Sequence, residues 1–472
     1  MEKKNVTLLK NTTVLAIGQF IPKIISIITL PLLTGAFSTS EYGIYDLVIS
    51  FSSLFLPLLT FMVQQAVFRY LIENDDINHR KKYISCAISF ISVLSIIFFI
   101  MTISVSLFAD KYSEIIVIAC FIYIFESFYD LFGQVSRGIG NNVNYSLGTI
   151  IYSVVNMILL VISLLTNIIN INIALIIIAL SYLFSSIFLG VRLKIFTYFD
   201  KKCVKIRYVK ELLKYSIPMI PGTISLWLVN LSDRLIISFY IGSSENGIYS
   251  TATKFPNLFA TVYNVFNLAW TEVAARSINE KDIDDYYSTL FKNLYSFMVG
   301  VLIVLITFSP IMYNILIDSK FHAGYNQLPI LYIGILFNCF VSFYGGLYVA
   351  LKRTKEVGIS SIIGAVINVV INILFIKKIK LFAASFSTLI SFLIILIYRI
   401  IDIQKFIKIK YDMKSILIGV IFLLAVIIGF YINNFYFILV NLVLAIIYNL
   451  KFNIFLIKFI NLIFDKVKER NI

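Results

Sequence analysis

Apolar runs long enough to cross a bilayer, about 20 residues each, recur along almost the whole chain. They fall near 11–34, 43–72, 83–108, 114–136, 144–167, 171–195, 212–241, 246–277, 286–317, 327–351, 357–376, 380–401, 415–432 and 435–457, which makes about fourteen spans. In hydrocarbon every backbone N–H and C=O must find a partner inside the protein, so only helices and closed barrels can span. These runs are continuous rather than alternating and too long for barrel strands, so they predict helices. With 472 residues, 60% hydrophobic, 14% charged and a mean hydropathy of +0.92, a soluble protein is excluded. The expected fold class is an all-α polytopic membrane protein.

The spans are not independent of one another. Leu8, Leu9 and Lys10 recur as Leu212, Leu213 and Lys214, an offset of 204 (212 minus 8). Without a gap, Gly18 recurs as Gly222, Ser40-Glu41 as Ser244-Glu245, and Gly43-Ile44-Tyr45 as Gly247-Ile248-Tyr249. Each block runs from a basic helix start through a long apolar span to a short polar turn. Internal duplication of this kind in a membrane protein is a transporter signature, with the substrate passing between the halves. The expected organisation is an N-lobe of six helices over 1–195, a basic linker over 196–211, a C-lobe of helices 7–12 over 212–401, and helices 13–14 with a basic tail over 402–472. Six is an even number, so both lobes enter from the same side and are related by an axis along the membrane normal. Pro57, Pro218, Pro221, Pro256 and Pro310 inside the longer spans predict bends or tilt.

The net charge of +15 would suggest nucleic acid in a soluble chain, but here the basic residues sort by side. With the N-terminus in the cytoplasm, the connectors 73–82, 137–143, 192–214, 276–285, 352–356 and 399–414 and both tails are internal and hold most of the 40 Lys and Arg. Only Lys111, Lys320, Lys377, Lys378 and Lys380 fall on the other side. That bias places both termini in the cytoplasm and leaves no surplus charge for a nucleic-acid partner. The connector 192–214 reads as an interfacial segment held by anionic lipid headgroups. No connector is long enough for a soluble catalytic domain. Cys86, Cys120, Cys203 and Cys339 stand singly, and His79 and His322 lie in polar loops without metal-ligand neighbours, so neither a redox centre nor a metal site is expected.

An ionisable side chain at mid-membrane is costly and rarely faces lipid. Lys23, Arg69, Arg234, Lys254 and Lys292 lie inside spans. Arg234 precedes the turn at Ser244 by ten residues and Lys254 follows it by ten, which places both about 15 Å below the surface. Two cations at one depth need an anion. Asp233 points about 100° away from Arg234 around the helix. Glu126 and Asp130, one turn apart, could serve, and so could a substrate phosphate. The alternative is a structural salt bridge between halves. Lys23 could instead snorkel to the headgroups, and Arg69 and Lys292, near helix ends, could simply anchor. The intramembrane balance predicts a net positive cavity suited to an anionic cargo. Glu126 and Asp130 also carry the chemistry of Na⁺ or H⁺ coupling.

Several motifs carry a family resemblance: the opening Leu8-Leu9-Lys10-Asn11-Thr12, the turn Ser38-Thr39-Ser40-Glu41-Tyr42-Gly43-Ile44-Tyr45-Asp46, and the segment 136–141 (Ser-Arg-Gly-Ile-Gly-Asn). The second half adds Ser232-Asp233-Arg234-Leu235-Ile236-Ile237-Ser238-Phe239-Tyr240-Ile241-Gly242, then 245–250 (Glu-Asn-Gly-Ile-Tyr-Ser) and Ala269-Trp270. Together they resemble the Wzx-type polysaccharide flippases of the multidrug/oligosaccharidyl-lipid/polysaccharide exporter superfamily. The resemblance implies two six-helix lobes that alternate between inward-open and outward-open states. Its implied cargo is an oligosaccharide repeat unit on a polyprenyl pyrophosphate, moved to the outer leaflet of a bacterial cell membrane, with membrane lipids and polysaccharide polymerase machinery as partners. Arg234 and Lys254 sit at motif positions of the second half, where the first half has Leu30 and Ser50, so the implied pyrophosphate contact is asymmetric. No cofactor beyond Na⁺ or H⁺ coupling is implied. A drug exporter of the same fold would call for a carboxylate-dominated cavity, and a peptidoglycan-precursor flippase would share the cationic one. A polymerase or ligase would need a large catalytic outer loop.

Overall fold

In a computed structural model of the chain, residues 2–74, 76–108, 112–277, 283–351, 353–453 and 456–457 are described. The basic tail expected beyond residue 457 lies outside them. The described residues are helical almost throughout. In chain order the helices are α1 (Glu2–Ile28), α2 (Leu30–Ala36), α3 (Thr39–Thr60), α4 (Val63–Glu73), α5 (Ile77–Ser106), α6 (Ser113–Gly138), α7 (Asn142–Leu165), α8 (Ile171–Arg192) and the short α9 (Ile195–Tyr198). They continue with α10 (Ile206–Ser216), α11 (Ile220–Tyr240), α12 (Ser243–Ser277), α13 (Ile283–Leu316), α14 (Leu328–Ala350), α15 (Thr354–Ile379), α16 (Leu381–Ile403), α17 (Met413–Ile432) and α18 (Phe435–Lys451).

Eleven described helical segments are long and apolar enough to cross a membrane, and α18 is apolar but shorter. The seventh and eighth expected spans form α11 and α12, so each predicted span has its helix. The first two spans are each built from two helices. The second breaks at Phe61 and Met62, both left-handed (φ 49° and 54°), rather than at Pro57, which stays inside α3. Thr60 manages the break: its hydroxyl donates to the Leu56 carbonyl (2.7 Å) and accepts from the Met62 amide (3.2 Å). α12 and α13 run unbroken through Pro256 and Pro310.

The chain divides into two compact units, Met1–Gly247 and Ile248–Ile472. In the first, α6 packs on α8 and α4, and α1 on α7. Small residues bring the backbones close, as expected where hydrocarbon offers no hydrophobic drive between helices. Ser146 and Thr149 of α7 donate to the Val14 and Gly18 carbonyls of α1 (2.9 and 2.8 Å), and Ser185 of α8 donates to Gly148 (2.7 Å). The basic connector belongs to this unit: Leu212 is fully buried in its core, and Tyr83 donates to Glu211 (2.8 Å). In the second unit α14 and α15 pack on α16, and α13 on α17 and α18.

The boundary of the first unit falls just past the second copy of the repeated turn because that copy packs on the first. Ser38 opens α3 as a capping box with Glu41, which satisfies orphan amides at the helix start. Thr39 Oγ1 then meets Ser244 Oγ at 2.7 Å, while Ser40 Oγ meets Ser243 Oγ at 2.7 Å. Thr39 corresponds to Ser243 and Ser40 to Ser244, so the two contacts are mates across a local two-fold axis. Space for them comes from the repeated glycines. A Cβ on Gly43 would collide with the Ser243 carbonyl, and one on Gly247 with the Thr39 carbonyl. Backbone blocks both sites, so no rotamer change can relieve either clash. Gly43→Ala and Gly247→Ala are each expected to lower stability by about 1–3 kcal/mol through overpacking, read as a loss of Tm in detergent. Gly358→Ala, where nothing lies within reach of a Cβ, serves as the neutral control.

Candidate functional site

The paired turns hold α11 against α3, and that contact brings the interior charges together. Trp227 Nε1 on α11 donates to the Ser50 carbonyl on α3 (3.0 Å). Two turns further along α11, Arg234 Nη1 donates to both oxygens of Asp46 (2.9 and 2.8 Å) and to Ser50 Oγ (2.8 Å). Arg234 is 8% exposed and Asp46 1%, so this is a desolvated pair, one in which removing either partner strands a buried charge. The sequence considered Asp233, Glu126, Asp130 or a phosphate as the anion for Arg234. The structure supplies Asp46, which sequence position had placed near a helix end.

Lys23 of α1 completes this end of the site. Its ammonium is within electrostatic reach of Arg234. Its side chain is exposed, although many protein atoms surround it. Among the described residues no carboxylate pairs with it.

A second cluster lies on α6, α7 and α8. Tyr182 donates to Glu126 Oε1 (3.1 Å), and Ser52 stands beside the same carboxyl. Tyr152, Tyr182 and Tyr129 form a box of rings, with centroids 4.4 Å (Tyr152 to Tyr182), 5.4 Å (Tyr129 to Tyr182) and 6.1 Å (Tyr129 to Tyr152) apart. One turn from Glu126, Asp130 is bonded by Gln64 and by Gln134 Nε2 (3.5 Å), and Gln134 in turn accepts from Arg137 (3.2 Å). Two oxygens in this cluster are buried without a hydrogen-bond partner, Glu126 Oε2 and Gln64 Oε1. An unmatched buried carboxylate oxygen is costly, and a proton or a small cation would remove the cost.

The remaining expected residues sit elsewhere. Arg69 is exposed and pairs with Glu73 one turn along its own helix (3.1 Å). Lys292 pairs with Asp412 where α13 passes the start of α17. Each is thus paired with an acid at a helix end, Glu73 closing α4 and Asp412 capping α17. Asp233 is 3% exposed beside Arg234 in sequence, and Lys254 is half-buried on α12 in the second unit. The interior of the first unit is therefore not dominated by cations: Lys23, Arg234 and Arg137 face Asp46, Asp233, Glu126 and Asp130. Sequence reading also missed Arg399, 3% exposed on α16. It donates to the carbonyls of Val341 (2.7 Å) and Val357 (3.3 Å) and to the hydroxyls of Ser360 and Ser361 (3.0 and 3.3 Å), tying α14, α15 and α16 together.

Repeated apolar helices and buried, mutually compensated charges define a multi-pass membrane protein of the transporter type. The profile of the family described as "Polysaccharide biosynthesis protein" matches residues 8–271, and that of the MatE family matches 218–374. The chain belongs to the polysaccharide biosynthesis protein family. No curated protein sequence gives a significant match. Among solved structures, the fold is similar to the lipid II flippase MurJ in an inward closed conformation, with TM-score 0.71 and 16% identity over 95% of this chain and 99% of that one. An inward-facing multidrug resistance MATE transporter of the MOP superfamily gives TM-score 0.66 and 13% identity over 83% and 98%. A MOP superfamily transporter from Pyrococcus furiosus, described as having a binding pocket of reverse polarity, gives 0.57 and 13% over 84% and 95%.

The Asp46–Arg234 pair yields a direct test. Asp46→Ala is expected to cost about 3–5 kcal/mol by removing the carboxylate from a buried guanidinium. Adding Arg234→Leu to it should recover a large part of that loss, measured by unfolding of the purified protein. Equal destabilisation by the single and double variants would count against a buried pair.

Proposed function

We propose that this protein is a flippase, not an enzyme, which carries a polyprenyl-pyrophosphate-linked oligosaccharide repeat unit from the cytoplasmic to the outer leaflet of a bacterial cell membrane for surface polysaccharide synthesis. Both termini are cytoplasmic in this reading, and polysaccharide polymerase machinery takes up the product. The observation that carries it is Lys23: a deep, solvent-accessible cation, next to Arg234, with no carboxylate of its own among the described residues. A pyrophosphate has the multiple negative charge that such a position attracts. Arg234 is held in place by Asp46 and adds field rather than a free hand. Membership of the polysaccharide biosynthesis family supports the cargo class.

Glu126, with Asp130 and Gln64 beside it, is the coupling group for H⁺ or Na⁺, since its unmatched buried oxygen gains most from one. The same acids favour a second reading, a cation-coupled drug exporter, because cationic drugs seek buried carboxylates. A peptidoglycan lipid-precursor flippase is the third.

One complementation experiment separates them. In a deletion strain, at matched membrane expression, wild type should restore surface polymer and clear lipid-linked repeats from the cytoplasmic leaflet. Lys23→Ala should lower flux at least about tenfold, the worth of one charge-assisted hydrogen bond of about 1.5 kcal/mol or more, and Lys23→Arg should retain most of it. Unchanged surface polymer with reduced tolerance of cationic drugs would establish the exporter instead. Arrested cell-wall synthesis would point to peptidoglycan precursors. Full rescue by Lys23→Ala would remove Lys23 from the cargo path.

The coupling assignment is tested separately in proteoliposomes. Glu126→Gln should abolish the dependence of transport on an imposed pH or Na⁺ gradient while leaving cargo binding intact. Gradient-dependent transport by Glu126→Gln would overturn that role.

A further inference from the structure

The second unit contains a cavity of about 370 Å³ enclosed by α13, α14, α16, α17 and the connector before α17. Its walls are aliphatic and aromatic side chains, among them Phe291, Tyr295, Phe340, Leu396, Tyr411 and Val420. The two hydroxyls among these six are already committed. Tyr295 donates to the Ile416 carbonyl (2.9 Å), and Tyr411 bonds to Tyr344 (2.9 Å). Nothing is left to orient a polar ligand, so the occupant of this space is hydrocarbon.

The end of the cleft where α13 and α17 begin and α16 ends is crowded with charge. The connector 404–412 lies along the start of α13: the Lys408 amide donates to Asp284 (3.0 Å) and the Lys410 amide to Ser288 (2.8 Å). Lys410 pairs with Asp285 (2.8 Å), Lys405 with Asp402 (2.8 Å) and Lys292 with Asp412. Asp412 lies just outside α17, and hydrogen bonds from Lys292 and Ser415 hold its carboxyl down to about 2. It therefore stays ionised and paired as pH falls, until pH passes below the ordinary carboxylate range. The acids of this mouth are thus largely spoken for, while Lys408 and Lys414 are exposed and have no ion pair among the described residues. Lys414 stands two residues before Ile416, which lines the cleft.

An apolar slot with unspent lysines at its mouth matches an amphiphile with an anionic head. Basic pockets beside transmembrane helices bind acidic phospholipids in this way. We propose that this cleft is a binding site for an anionic phospholipid, with one acyl chain between α13, α14, α16 and α17 and its phosphate on Lys408 and Lys414. The lining residues all belong to the second unit and include none of the Lys23 and Arg234 cluster, and the lipid is assigned as a resident of the fold rather than as the cargo. It wedges α17 against α13, on which the last two helices pack.

Native mass spectrometry of the purified full-length protein, offered equal phosphatidylglycerol and phosphatidylcholine, tests this. Wild type should retain one phosphatidylglycerol in preference to phosphatidylcholine. Lys408→Glu with Lys414→Glu, both at exposed positions, should reduce that preference at least tenfold. Val420→Trp, which fills the slot, should remove bound lipid of either kind. Retention without headgroup preference, unchanged retention in the double lysine variant, or a co-purifying polyprenyl phosphate in place of phospholipid would each overturn the proposal. Should Val420→Trp lower expression, the lysine variant alone decides, because its changes lie at the surface.

Discussion

Contact between two helix starts governs the first unit. The Ser243 carbonyl lies against Gly43 and the Thr39 carbonyl against Gly247 because neither glycine presents a side chain, and backbone meets backbone. From that point α11 runs along α3 at a fixed azimuth, Trp227 reaches Ser50, and Arg234 meets Asp46. Were the helix starts held apart by a methyl group at either glycine, the guanidinium and carboxylate deeper in the bundle would lose their register. The charge pair is therefore a consequence of close packing at the turn as much as of its own Coulomb attraction. In a medium that repays little for bringing apolar surfaces together, such backbone proximity is a main source of specificity.

Much of this architecture is legible in the sequence, and the remainder is hidden for a definite reason. Span length and the basic connectors reveal the helices and their order, since each depends on neighbours a few residues away. The repeat announces the importance of the Gly43 and Gly247 turns, though not that they touch. Asp46 escapes because its partner is 188 residues distant. Counting from a turn gives depth along a helix but not the direction in which a side chain faces. The same limit hid the tyrosine box around Glu126, whose rings come from three helices. It also left Arg69 and Lys292 open between cavity lining and anchoring, and each is paired with an acid at a helix end. Arg399 was lost to a boundary drawn one turn early, in the connector rather than on α16.

Two kinds of buried charge coexist in the fold. Arg234 and Arg399 are fully engaged, the first by a carboxylate and a hydroxyl, the second by carbonyls and hydroxyls alone. Both therefore act as rivets between helices. Lys23 and Glu126 are only partly satisfied: Lys23 has no carboxylate among the described residues, and Glu126 Oε2 is buried without a hydrogen-bond partner. Saturated charges that tie helices together are thus distinct from the few that have bonding capacity left, a division that suits a membrane transporter.

The pairing at the repeated turn also bears on history. Thr39 bonds to Ser244 and Ser40 to Ser243, each residue facing the counterpart of its sequence neighbour. A shorter ancestor carrying one copy of this turn, assembled as a dimer about a true two-fold axis, would make every one of these contacts twice from a single sequence. Fusion of two such copies preserves the geometry while freeing each half to diverge. In the present chain, the positions that answer Asp46, Ser50 and Arg234 are Ser250, Lys254 and Leu30. The shared turn has kept its symmetry, and the charges it positions have given theirs up.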